Sequence, residues 1–282
     1  MRSAFVFLVV TGMLAVILAA GCTGPGTRPE EGSKITDLSA ALDRFTTGVN
    51  TTLQGMDGAL ASSAADLGRT GIAGPEANAT LARLAASLPL AEDAVTISAE
   101  GRIAAAMPEK YWGAVGVYVG NESHNRQALQ EKRPLMSPVF PAAEGFDAVS
   151  IRWPVMDETG VYLGLVSVLV DPQWLLADQA DRALAGTPAS TPYTAWVTDT
   201  NGRLIYDRDP GDLVGRNMLT DPVFANYPEL VALATRVTVE PTGSGTYTFT
   251  PGGGGSPVRK EAVWATTGLH GTEWRLVVAR EV

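Results

Sequence analysis

The 282-residue chain has one cysteine, Cys22, and two histidines, His124 and His270. A lone cysteine excludes an intramolecular disulfide, so stability has to come from packed cores. His-Glu-x-x-His and Cys-x-x-Cys spacings are missing, which removes the common local zinc motifs. Gly-x-Ser-x-Gly, the turn that presents a hydrolase serine, is missing too. No Rossmann glycine pattern follows a strand signal. The glycine-rich stretch Gly252–Gly255 is not followed by Gly-Lys-Ser/Thr, so it is no phosphate cradle. These absences lead to the expectation of a non-enzyme with no catalytic residue, no cofactor and no metal ion. Blocks of like charge are also lacking: 21 basic residues stand against 30 acidic ones, a net charge of −9. An acidic chain with no basic face suits neither nucleic acid nor a polybasic contact with lipid headgroups. The acidic trio Asp207, Asp209 and Asp212 lacks the spacing and closing glutamate of a calcium loop and reads as a solvated turn.

Only one hydrophobic run is long. It extends without charge from Ala4 to Ala20, follows Arg2 and leads into Ala19-Ala20-Gly21-Cys22. A positive start, an apolar stretch and small residues before the cut are the marks of a secretory signal. The cysteine after them turns the reading toward lipid attachment at Cys22. The segment resembles a prokaryotic lipobox, with Leu18 one place ahead of the usual leucine slot. An uncleaved signal anchor and plain secretion are the alternatives. Without Arg2 the mature chain carries 20 basic and 30 acidic residues, net −10. The expected location is the extracytoplasmic face of the membrane, with a lipid anchor and no cytoplasmic segment. Three Asn-x-Ser/Thr sequons, at Asn50, Asn78 and Asn121, are candidate glycosylation sites.

Residues 23–32 are polar and Gly/Pro-rich, as a tether would be. From Ser33 a helix of about 30 residues is expected, with Ile35, Leu38, Leu42, Phe45, Val49, Leu53, Met56 and Leu60 on one stripe. The stripe approximates heptads, and packing on the chain's own domain is the alternative to a coiled coil. Pro75 at a first helical position predicts a second helix to Leu88. A hairpin is predicted over Ala94–Met107 around Glu100-Gly101, and a strand pair over Asp147–Met156 and Val161–Val170. A helix over Pro172–Leu184 follows. The plan then repeats, with a hairpin over Tyr193–Tyr206 and strands over Thr246–Thr250, Arg259–Thr266 and Glu273–Arg280. Gly101-Arg102-Ile103 echoes Gly202-Arg203-Leu204, and Ser137-Pro138-Val139-Phe140 echoes Asp221-Pro222-Val223-Phe224. The echoes predict two duplicated α+β modules, over 33–186 (with the long helix) and 187–282, each an antiparallel sheet with helices on one face.

The stretch from Tyr111 to Phe146 is too long for a plain connection and rich in aromatics. A cation and a hydroxyl beside aromatic walls suit a small carboxylate. Tyr118, Arg133, Ser137 and Trp153 are therefore the candidate ligand-binding residues. Arg133 precedes Pro134, which holds it extended. In the second half, Asn217, Phe224, Tyr227 and Trp264 would line a less polar counterpart, or simply its core.

Several of these segments, in this order, resemble the tandem Cache family of extracytoplasmic sensor domains. They are the long helix, Gly101-Arg102-Ile103, Arg133–Phe140, Pro154–Gly160, Gly164–Val168, Asp199–Asp207, Gly215-Arg216-Asn217 and Trp274–Val278. The resemblance spans Ser33 to Val282. It implies PAS-like modules that bind a small molecule, often in the membrane-distal module, and act with a membrane-bound signalling partner. The Arg, Trp-Tyr and later Asp combination of the amino-acid-binding subgroup is absent. A solute-binding lipoprotein serving a transporter and a structural envelope lipoprotein are the other readings.

Overall fold

The computed structural model describes residues 29–188, 192–209, 213–250 and 256–282, with side chains from Asp37 onward. Cys22, the tether to residue 28, Asp212 and Gly252–Gly255 lie outside the described residues.

Helix α1 runs from Pro29 to Thr70, starting four residues before the expected Ser33. At 1.5 Å per residue it is about 63 Å long, enough to span two small sheets. Its stripe at Leu38, Leu42, Phe45, Val49, Leu53, Met56 and Leu60 is buried. These side chains join one continuous core with Val149, Ile151 and Val155 of the first sheet and Val263, Leu276 and Val278 of the second. The stripe therefore packs within its own chain. Helix α2 (Pro75–Ser87) lies against α1 and buries Ala77, Leu81 and Leu84.

Two antiparallel sheets follow. The first holds β1 (Ala91–Ser98), β2 (Ile103–Met107), β3 (Leu135–Met136), β4 (Phe140–Pro141), β5 (Asp147–Met156) and β6 (Tyr162–Val170). Its order is β2-β1-β6-β5-β3, with β4 also paired to β5. Helix α3 (Ser123–Glu131) precedes β3. Helix α4 (Pro172–Leu184) leads to the second sheet, and Asp171 caps it by accepting from the Gln173 and Trp174 amides. The second sheet holds β7 (Tyr193–Asp199), β8 (Leu204–Asp207), β9 (Gly243–Phe249), β10 (Val258–Leu269) and β11 (Thr272–Glu281), in the order β8-β7-β11-β10-β9. Helix α5 (Pro228–Val239) precedes β9.

The duplication extends to individual hydrogen bonds. Both hairpins slip register at the same step, between Thr96 and Ile97 and between Val197 and Thr198. The Gly-Arg echo is a real equivalence. The Ser98 amide bonds to Arg102 O as the Asp199 amide bonds to Arg203 O, and Arg102 bridges Tyr118 as Arg203 bridges Asn217. Gly101 and Gly202 hold φ of 83° and 85°, a conformation that suits glycine. The Pro-Val-Phe echo is not an equivalence. Ser137–Phe140 links β3 to β4, whereas Pro222–Asn226 is a 3₁₀ turn ahead of α5. Helices also flank both faces of each sheet: α1 lies on one side, α3 or α5 on the other.

Candidate functional site

Strand parity decides what each face of the first sheet presents. On β5, Val149, Ile151 and Val155 enter the core shared with α1, so Ala148, Ser150 and Arg152 face the other way. On β6 the outward set includes Leu165, Ser167 and Leu169, and on β1 it is Asp93, Val95 and Ile97. These strands are in register. Val95 pairs with Ser167 and Ser167 with Arg152, while Asp93 pairs with Leu169 and Leu169 with Ser150. Two polar rows thus cross the centre of an otherwise apolar face.

A cavity of about 590 Å³ lies over this face. The start of α3, Glu122–Asn125, covers one side, and Phe140–Glu144 covers the other. His124 stacks on Phe140 with ring centroids 4.1 Å apart, joining the two covers. Burial, then the nearby Arg152 charge, pushes the His124 pKa down to about 4, so the ring is neutral at pH 7.

Arg152 and Asp93 are the ionisable groups deepest in the cavity. Arg152 is 3% exposed. Its Nη1 reaches His124 O at 3.4 Å and its Nε has no partner. Asp93 Oδ1 accepts from the Leu169 amide at 3.1 Å. Burial, reinforced by the charge on Glu144, pushes its pKa up to about 7. Among the described residues no ion pair within 4.0 Å joins Asp93 to Arg152 or either of them to another residue. Asn125 Oδ1 and Ser150 Oγ are likewise buried and unpartnered. Buried polar atoms are almost always satisfied, and an unpaired buried charge costs several kcal/mol. A guanidinium, a carboxyl, an amide oxygen and a hydroxyl, each short of partners, thus belong to residues that line one chamber.

None of the four residues proposed from sequence lines this cavity, and the structure does not bring them together. Tyr118 is 50% exposed, with Arg102 over its ring. Arg133 points to solvent, with Nη2 2.5 Å from Glu131 Oε2, because the chain turns out at Lys132 (φ 50°). Ser137 is buried in the strand edge, accepting from the Ser150 amide at 3.0 Å and donating to Pro138 O. Trp153 faces the helix side, where its Nε1 donates to Asp57 Oδ1 at 2.6 Å. His270 Nε2 lies at the same distance from that oxygen. One residue along the strand, Arg152 carried the signal: a charge at the outward position of a strand with Ser150 beside it. Of the sequons, Asn121 is exposed in a turn, while Asn50 and Asn78 lie part-buried within α1 and α2.

The second sheet fills the corresponding space. Through the shared hairpin register, Trp196 takes the place of Val95 and pairs with Val277, which pairs with Trp264. Trp264 therefore stands where Arg152 stands, and Thr194 where Asp93 stands. Gly243 and Gly245 on β9 make room for the indole, whose Nε1 donates to Glu240 O at 3.0 Å. Phe224 and Tyr247 complete the filling, while Tyr227 packs on Phe249 and Asn217 holds the Asn201 turn. Only about 30 Å³ remains, room for about one water. The remnant is polar. Burial pushes Asp207 up to about 7. Asp209 accepts from Thr194 and pairs with Lys260, both at 2.8 Å. These aspartates are thus built into the module edge and do not form a solvated turn. Among the described residues no cluster of His, Cys, Asp or Glu could hold a metal ion.

Residues 51–172 match the family model described as HK/GC/chemotaxis protein-like, sensor domain. No curated protein sequence matches the chain. Among solved structures, an extracellular ligand binding receptor from Desulfohalobium retbaense is 26% identical. It aligns over 85% of this chain with a TM-score of 0.70, and the chain spans 39% of that receptor's length. The ligand-binding domain of the Pseudomonas fluorescens chemoreceptor CtaA, in complex with L-serine, is 14% identical. It aligns over 89% of this chain and 98% of its own (TM-score 0.63). That of the Pseudomonas aeruginosa amino acid chemoreceptor PctB, in complex with L-Gln, is 16% identical, over 86% and 88% (TM-score 0.58). Residues 51–172 thus carry the sensor-domain pattern, and the chain as a whole, with its duplicated sheets and long first helix, has the fold of two PAS/Cache-like modules.

Proposed function

We propose that the first module binds a small zwitterion, with its anionic group on Arg152 and its ammonium toward Asp93, and that the chain reports this from the outer face of the membrane. The observation that carries the reading is a buried arginine and a half-buried aspartate, not paired with each other, that face one cavity of about 590 Å³. A carboxylate can engage the open guanidinium fork bidentately, and an ammonium near Asp93 favours the ionised carboxyl that burial disfavours. The amino acids named for the CtaA and PctB domains have this chemistry. The apolar run Ala4–Ala20 with small residues before Cys22 supports lipid attachment at Cys22 and, with it, a membrane-bound partner.

A thermal-shift screen of the full chain against amino acids and small carboxylates tests the binding. A ligand at 100 times its Kd should add about 2.7 kcal/mol of stability, and Arg152→Leu should abolish the shift. A shift of equal size in the variant would remove Arg152 from the site. Cys22→Ser should release the protein from the membrane fraction, and an unmodified Cys22 in an uncleaved wild type would sink the lipid anchor.

A further inference from the structure

The cavity has more negative charge than a neutral zwitterion can match. Three carboxylates reach it from three elements: Asp93 on β1, Glu122 at the start of α3 and Glu144 after β4. They feel one another, since the Glu144 charge pushes up both the Asp93 and the Glu122 carboxyl, behind burial in each case. Among the described residues Arg152 is the one cation lining the cavity, and His124 is neutral. Glu122 already accepts from the Asn125 side-chain amide at 2.8 Å, and Asn125 Oδ1 is buried without a partner. One ligand carboxylate satisfies Arg152, and one ammonium offsets Asp93. Glu122, which feels the Arg152 charge and has the neutral His124 Nε2 3.1 Å away, and Glu144 then remain near the rim with no cationic ion-pair partner among the described residues.

Resting on the reading above that this cavity is the binding site, we infer that its ligand carries net positive charge. It has one anionic group and at least two protonated nitrogens, as a basic amino acid does. The second cationic group lies toward the rim, between Glu122 and Glu144. The Glu122 side chain is 48% exposed, so water screens it. Each such pairing is worth about 1.4- to 5-fold in affinity, and two together about tenfold.

Calorimetric titration of the full chain in detergent micelles with L-lysine, Nε-acetyl-L-lysine, L-norleucine, L-glutamate and cadaverine decides this. L-lysine should bind about tenfold tighter than norleucine or acetyl-lysine. L-glutamate should bind weakest of the amino acids, and cadaverine, which leaves Arg152 unpaired, weaker than lysine. Glu122→Gln and Glu144→Gln should each shrink the lysine-to-norleucine ratio by about two- to threefold. Norleucine or glutamate binding as tightly as lysine would overturn the charge preference and leave the binding site standing. Lysine binding that survives Arg152→Leu unchanged would overturn the site itself. Silence from all five compounds would overturn the inference.

Discussion

Asp93 offers the sharpest test, because its role in binding should make it a liability to the empty fold. In the unfolded chain it ionises near 3.8, and in the fold it keeps its proton up to about 7. Below pH 3.8 both states are protonated and the group is neutral in its effect. Between 3.8 and 7 the unfolded chain gives up the proton and the fold does not, so stability falls as pH rises. Above 7 the full cost is present, about 4 kcal/mol for this displacement. Asp93→Asn keeps an oxygen for the Leu169 amide and removes the ionisation. It also removes an attraction felt by Arg152, which trims the gain. The variant should therefore be about 2–4 kcal/mol more stable than wild type at pH 8 and about equal at pH 3.5. Urea denaturation of both proteins at pH 3.5, 5.5 and 8 measures this. Asp207, also held near 7, is common to both and cancels. A variant no more stable at pH 8, or equally stabilised at pH 3.5, would refute the argument. The same substitution should weaken an ammonium-bearing ligand, so stability and binding should move in opposite directions.

Three further outcomes follow from packing. Trp264→Ala should cost about 3–5 kcal/mol, the range for a buried aromatic, and open in the second module the space that the first keeps empty. Recovery of part of the loss on adding indole would show that the space is intact, whereas a cost under about 1 kcal/mol would show that Trp264 does not fill the module. Asp57→Ala strands both Trp153 Nε1 and His270 Nε2 and should cost about 2 kcal/mol in urea denaturation; no loss would mean that water replaces the carboxylate. Gly58→Ala and Gly68→Ala should differ in sign. Gly58 faces open space and should gain up to about 1 kcal/mol as alanine, while a methyl at Gly68 meets the Met156 carbonyl and should lower Tm.

The fold was legible wherever burial imposes a period. The α1 stripe, the helix from Pro75, the strands over Asp147–Met156 and the helix over Pro172–Leu184 all stand where spacing and punctuation place them. Helix α5 carried the same kind of signal, Pro228 followed by Leu230, Leu233, Ala234 and Val237, but lay within what reads as a long connection. Helix α3 carried almost none. Its only apolar residues are Ala128 and Leu129, which reach a small cluster with Val95, Ile97 and Leu165, while its start covers the polar chamber. The site was harder for a physical reason. Aromatic and cationic side chains mark the long connection between the hairpin and the strand pair, while the proposed ligand face is made by the strands themselves. Neighbours on a strand point to opposite faces, so Trp153 lies on the wall that packs on α1 and Arg152 on the wall of the cavity.

The two modules together argue that the first cavity is maintained and not a packing defect. Both sheets have the same order, the same bulge in the first hairpin and the same Gly-Arg turn, so the backbone offers each the same concave face. In the second, Trp196, Trp264, Phe224 and Tyr247 fill it, as an ordinary core requires. In the first, Val95 and Arg152 stand at the two tryptophan positions, and a neutral His124 closes over the top on Phe140. Filling that face would have taken a few large apolar side chains. An arginine and an aspartate instead occupy its deepest positions, unpaired. The segment that covers them is tied to the second module: Arg203 donates to Val139 O at 3.2 Å and pairs with Asp147 at 2.5 Å, and Thr272 donates to Met136 O at 2.6 Å. A ligand that draws Phe140–Glu144 inward acts on a strand edge already held by the filled module. On the proposed function, the open sheet supplies the recognition and the filled one supplies a rigid body for that strand edge to act against.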